Sequence, residues 1–176
     1  NLVYDTDFKM LNVKTVEPTS YFASMRTFFD RIEEKLSLKV VIAAHPKSQY
    51  QGSEFGNREI LKGMASELVK DCHFAIAHYS TSVSYPVIFK KPIIFIYTSQ
   101  MKQKSYFKEI RNFANVLNQP LVNIDLSGTE ELYLKEVDID KYEEYQLKYI
   151  TSLKSNNEYT RDIYFNFIES YEPLPE

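Results

Sequence analysis

The sequence has few of the residues that cross-link or bend a chain. Its 176 residues include one cysteine, four glycines and no tryptophan. A single cysteine excludes an internal disulfide, and Cys72 is expected to pack as a small apolar residue between a helix and a strand. No glycine-rich phosphate loop and no Gly-x-Ser-x-Gly elbow occurs. No run of about 18 apolar residues is present and no signal peptide is visible, so we expect no membrane span.

The charges are equally uninformative about a polyanionic partner. The formal net charge is −3, with 26% charged and 44% hydrophobic residues, which gives no electrostatic reason to expect nucleic acid binding. The three histidines do not have the spacing of metal ligands, so we expect no metal and no other cofactor. What the chain has in abundance is aromatic residues, 15% of the total, which favours a packed fold over disorder.

Apolar runs alternate with helical patterns along most of the chain. The predicted strands are 39–44, 74–77, 92–97 and 120–124. The predicted helices between and before them are 21–37, 60–71, 80–89 and 106–117. This alternation is typical of a Rossmann-like three-layer α/β sandwich, with a mainly parallel sheet of about four to six strands.

The last part of the chain has a different pattern, which divides it into 1–134 and 135–176. Aromatic stripes predict a helix containing Tyr142, Tyr145 and Tyr149, and a second helix capped by Thr160. We expect residues 135–176 to be C-terminal helices that pack on the first unit or on an absent N-terminal domain.

Two histidines follow predicted strands, at the sheet edge where open α/β folds bind ligands. Pro46 keeps His45 extended, so the imidazole is expected to lie near that edge and to donate to a phosphate or ribose oxygen. Lys47 can add positive charge. His78 follows the next strand at a comparable position. The alternative is that these are ordinary histidines at strand ends.

Three hydroxyl residues, Ser80, Thr81 and Ser82, stand where a strand passes into a helix. The first backbone N–H groups of a helix have no internal partner and carry partial positive charge. A phosphate at this position would receive N–H groups, hydroxyl donors and the helix dipole together. The alternative is plain N-capping, which serine and threonine often perform.

Four short motifs occur in order between residues 40 and 98. They are His45-Pro46, Lys70-Asp71-Cys72 before the FAIAH segment, Ser80-Thr81-Ser82, and Lys91-Pro92-Ile93-Ile94-Phe95. In this order they resemble the C-terminal half of GT-B glycosyltransferases, above all bacterial surface and capsular polysaccharide biosynthesis proteins. Bacterial sialyltransferases, polysialyltransferases and CDP-glycerol glycerophosphotransferases are similar in layout. The resemblance covers residues 40–98 well and the rest loosely.

The resemblance implies one half of a GT-B fold, which binds the nucleotide of a CMP-, CDP- or UDP-linked sugar. It implies that His45 contacts donor phosphate or ribose and that Ser80, Thr81 and Ser82 hold phosphate. It also implies a glycan acceptor, a catalytic base outside this chain, and a cytoplasmic parent enzyme with peripheral association at the inner face of the membrane. Two other hypotheses stay open: a non-catalytic α/β interaction domain and half of a nucleotide-sugar epimerase.

Overall fold

The computed structural model describes Val3 and residues 15–126, 133–151 and 159–170 of the chain. In these residues, the α-helices are α1 (Pro18–Leu36), α2 (Ala65–Asp71), α3 (Ser84–Ile88), α4 (Phe107–Val116), α5 (Ile139–Tyr149) and α6 (Thr160–Glu169). The strands are β1 (Ile42–Ala44), β2 (Ile60–Lys62), β3 (Ala75–Ala77), β4 (Ile93–Tyr97) and β5 (Leu121–Asn123). Short 3₁₀ turns cover Thr81–Val83, directly before α3, and Met101–Gln103.

The strand pairing is parallel throughout the described sheets, which confirms the predicted α/β class. β1 pairs with β2 in one sheet, and β4 lies between β3 and β5 in the other. The predicted single sheet is therefore two hydrogen-bonded sheets. The hydrogen-bonded ladders are short. β1 pairs with β2, and β3 pairs with β4.

The predicted helix over 60–71 is wrong in its first part, because Ile60–Lys62 forms β2. The Ile42 amide donates to Glu59 O (2.9 Å) and the Gly63 amide donates to Ala44 O (3.2 Å), so β1 satisfies this backbone. Gly63, at φ +72°, then turns the chain before α2 begins. Apolar residues at 60, 61, 64 and 68 suit a helix equally well, and only pairing with β1 separates the two.

The first strand is also shorter than predicted, because β1 begins at Ile42 rather than at residue 39. The Val40 amide donates instead to the Glu33 carboxylate of α1 (2.9 Å). Arg58 binds the same carboxylate at 2.6 Å and Asp30 at 2.6 Å, while only 8% of its side chain is exposed. These contacts hold the segment before β1 and the end of the 45–57 loop against α1.

The core contains the buried faces of α1 and α4 and the central strand β4. Ile93, Ile94, Phe95 and Ile96 are each at most 1% exposed, as expected for a strand covered on both faces. α1 buries one full stripe of its surface. The buried residues of that stripe are Tyr21, Phe22, Met25, Phe28, Phe29 and Ile32.

The two C-terminal helices differ in how they pack. α5 lies against α3, and its buried Tyr142 donates a hydrogen bond to Lys91 O (3.0 Å). α6 begins at Thr160 with Tyr159 at the N-cap position, so the residue predicted as the cap is the first helical residue. The predicted break at 155–157 and the tail lie outside the described residues. None of the described helices is long and apolar enough to cross a bilayer.

Candidate functional site

The carboxyl ends of β3 and β4 meet the amino end of α1. His78, the residue after β3, contacts Tyr21 in the first turn of α1, with 2.8 Å between Nε2 and the tyrosine oxygen. Beyond β4, the Gln100 side chain accepts from the Glu17 amide (2.8 Å) at the start of the same helix. The two strand ends therefore share one edge with the positive end of the α1 dipole.

The ends of β1, β2 and β5 join this edge through further contacts. Phe22 of α1 packs edge-on against Tyr50 in the loop after β1, with ring centroids 6.5 Å apart. At the end of β2, the position of a Cβ on Gly63 would be 3.8 Å from Pro46. After β5, the Asp125 carboxylate accepts from the Ser99 amide (2.7 Å). The segments that follow the strands are thus linked to α1 or to one another, and ligand binding at this edge stays a prediction.

His45 is exposed, and its ring is oriented by its own turn. The Lys47 amide donates to His45 Nδ1 (3.1 Å), while the Ser48 amide donates to His45 O (2.8 Å). Because Nδ1 accepts, the neutral ring carries its proton on Nε2. His45 is therefore a hydrogen-bond donor in its neutral state, with Pro46 and Lys47 exposed beside it.

Ser48 was missed by sequence reasoning and belongs to the same turn. The residue is 3% exposed, and its Oγ is buried without a hydrogen-bond partner in the described part of the chain. Buried hydroxyls normally have a partner. A single serine in a polar loop carries no sequence signal that would separate it from its neighbours.

His78 is half-buried at this edge, and both of its ring nitrogens are engaged. Nδ1 donates to Ile96 O (2.7 Å), since a carbonyl can only accept, and Nε2 therefore accepts from the Tyr21 hydroxyl. Burial lowers the pKa of His78 to about 4, and burial also raises the pKa of Tyr21. In this arrangement His78 is neutral and has no ring nitrogen left for a ligand.

Ser80, Thr81 and Ser82 lie together at the start of the helical segment that leads into α3. Ser80 is the N-cap: its Oγ accepts from the Ser82 amide (3.2 Å) and lies 2.7 Å from Ser82 Oγ. Ser80 thus performs the N-capping that is the alternative to phosphate binding, and phosphate binding by the three residues stays a prediction. All three residues are exposed, while the Ser82 and Val83 amides are bonded within the turn.

In the described residues, the His45 loop and the Ser80–Ser82 segment are linked through α1 rather than by a direct contact. The ring of Tyr50 joins the His45 loop to Phe22, and the neighbouring Tyr21 joins α1 to His78. Ser80 follows His78 by two residues. Sequence reasoning missed Tyr21 because its spacing marks it only as part of the apolar stripe of α1.

A separate groove of about 550 Å³ lies at the opposite edge, beside the amino ends of β1 and β2. Its charged walls include Lys39 and Arg58, and these bind Glu59 (2.9 Å) and the α1 carboxylates. These groups satisfy one another, so the groove is part of the scaffold that holds the loop.

Within the described ranges, no group of three or more His, Cys, Asp or Glu side chains is arranged to hold a metal ion. Comparison of the chain with protein-family models, curated proteins and solved structures found no match.

Proposed function

We propose that this chain is the donor-binding part of a glycosyltransferase that acts in bacterial surface polysaccharide or lipopolysaccharide biosynthesis. The observation that carries the proposal is that an imidazole N–H donor and three hydroxyl residues follow β1 and β3, strands of two different parallel sheets whose following segments both contact the amino end of α1. Ligands of open α/β sheets bind at the carboxyl ends of the strands. The resemblance in residues 40–98 supplies the class of ligand, a nucleotide-activated sugar.

The chemistry of the edge suits a phosphate. His45 offers Nε2–H, Thr81 offers a hydroxyl and a backbone N–H group, Ser82 offers a hydroxyl, and Lys47 adds a nearby positive charge. Such donors favour an anion at a helix start and would stabilise the charge that develops on a departing nucleotide phosphate. The glycan acceptor and the group that activates it are assigned to the parent enzyme outside this chain.

Calorimetry tests the proposal with CMP, CDP, UMP and UDP as separate titrants. We expect weak binding of a cytidine or uridine nucleotide to the chain. His45→Ala and Ser82→Ala should each weaken it about tenfold, because each removes a hydrogen bond to a charged group. His73→Ala is the matched control, since His73 is also exposed but precedes β3 at the other edge.

Two results would overturn the proposal. One is the absence of binding by all four nucleotides at millimolar concentration. The other is binding that His45→Ala and Ser82→Ala leave as tight as in the unchanged chain.

A second candidate function, a non-catalytic interaction domain, is favoured by the surface of α6. Ile163, Tyr164, Phe165 and Ile168 are between 40% and 62% exposed, and no described side chain of α6 is buried. Exposed apolar residues on one element are typical of interaction surfaces. A full-length gene product with an upstream α/β domain and its own carboxylate would favour the enzyme. A chain that binds none of the nucleotides would favour the interaction domain.

A further inference from the structure

We propose that Tyr21 and His78 form a positioning pair that fixes Ser80, Thr81 and Ser82 for the anion without touching it. This inference depends on the proposed function for the identity of the anion. It changes the role of His78 from a ligand-binding residue to a residue that acts through its neighbours.

The pair holds the backbone directly after β3. His78 donates through Nδ1 to Ile96 O of the buried strand β4 (2.7 Å) and accepts through Nε2 from Tyr21 of α1 (2.8 Å). One ring therefore joins three elements that are distant in sequence. Both bonds require the tautomer with the proton on Nδ1, so the ring has one orientation.

Tyr79 makes a second contact next to the pair. Its ring stacks on Tyr106, the residue before α4, with centroids 6.0 Å apart and planes 23° apart. Residues 78 and 79 form a bend after β3, and both side chains are held by contacts with other elements, immediately before the turn begins.

The hydroxyl residues stand at the end of this anchored segment. Ser80 is extended at φ −172° and ψ 154°, and the next residues turn into the 3₁₀ helix. The Ser82 amide donates to Ser80 Oγ (3.2 Å) and the Val83 amide to Ser80 O (3.1 Å). The orientation of these N–H groups therefore follows from where residues 78 and 79 hold Ser80. An error of about 1 Å at such a point is costly for recognition.

Tyr21→Phe is the direct test, because it removes the hydroxyl and keeps the ring. We expect amide hydrogen exchange at Ser82 and Val83 to become about fivefold faster, and CMP affinity to fall about fivefold, the usual effect of one lost hydrogen bond. Tyr142→Phe is the matched control. It removes a hydroxyl that donates to Lys91 O before β4, and it should change neither measurement.

Nitrogen-15 NMR of the histidine rings gives a signature that general destabilisation would not produce. His78 should show a protonated Nδ1 and an unprotonated Nε2, and Tyr21→Phe should shift the Nε2 resonance. His78→Asn keeps a donor for Ile96 O, so it should retain more protection at Ser82 and Val83 than His78→Ala.

The outcomes separate the two proposals. If Tyr21→Phe leaves exchange and affinity as they are in the unchanged chain, the positioning pair is overturned while nucleotide binding stands. If exchange accelerates but the unchanged chain binds no nucleotide, the pair is supported and the proposed function fails. If His78 carries its proton on Nε2, the inference is overturned in either case.

Discussion

At the scale of single residues, the imidazole of His78 makes the fold sensitive to acid. Its pKa is about 4 in the folded chain against the ordinary value of 6.5, so the unfolded chain binds a proton more readily between these values. The stability that it contributes is complete above pH 6.5 and is lost as the pH falls toward 4. The difference of the two pKa values corresponds to about 3 kcal/mol.

Urea unfolding at pH values between 7 and 4.5 measures this effect. The free energy of unfolding should fall more steeply toward low pH in the unchanged chain than in His78→Asn, which has no titrating ring. Both chains contain the same carboxylates, so the contribution of their titration to the free energy of unfolding cancels when the two curves are subtracted. Parallel curves would mean that His78 is not buried as a neutral donor and acceptor.

Residue-scale features were predictable where the partner is close in sequence. Ser80 caps its own turn, which the sequence offers as the alternative to phosphate binding by three hydroxyl residues before a helix. Tyr21 and His78 are 57 residues apart, and neither the spacing of α1 nor the position of His78 predicts their hydrogen bond. The same distance in sequence explains why His78 was placed among ligand-binding residues.

At the scale of elements, Gly63 sets the boundary between β2 and α2. Its φ is +72°, and a Cβ there would have ordinary contact with Pro46 at 3.8 Å. The cost of Gly63→Ala should therefore come from the backbone alone, about 1 kcal/mol. Thermal or urea unfolding measures it, and a stability equal to that of the unchanged chain would contradict the left-handed conformation.

Arg58 connects two other elements, α1 and the loop that follows β1. Arg58→Met keeps much of the side-chain volume but leaves Glu33 and Asp30 without their partner, and it breaks the bond to Phe55 O (3.0 Å). We expect a loss of about 2 kcal/mol, less than for a fully buried pair because Asp30 is 70% exposed.

Urea unfolding measures the loss, with Lys39→Met as the control. The Lys39 side chain is 70% exposed in its ion pair with Glu59, so its removal should cost well under 1 kcal/mol. Equal losses in the two variants would mean that Arg58 does not anchor the loop.

The elements themselves were predictable in proportion to their length. α1, β4 and α4 have long apolar patterns, and their predicted positions agree with the structure to within a few residues. β2 has three residues, and its identity depends on pairing with β1, which local periodicity does not contain. The division into two sheets likewise depends on which strands pair.

At the scale of the whole molecule, the fold separates two edges with different properties. At one edge the polar strand ends surround the amino end of α1, and exposed hydroxyls and His45 face solvent. At the other edge, Arg58 and Lys39 in the groove are paired with carboxylates. We therefore expect nucleotides to bind at the first edge and not at the second.

Amide chemical-shift mapping distinguishes nucleotide binding at the two edges. CMP, CDP, UMP and UDP are titrated in turn into the nitrogen-15-labelled chain. We expect saturable shifts at Lys47 and at Ser80, Thr81 and Ser82, with the amides of Arg26 and Asn57 in the groove unchanged. Shifts that cluster in the groove, or no saturable shift with any of the four nucleotides, would contradict nucleotide binding at the first edge.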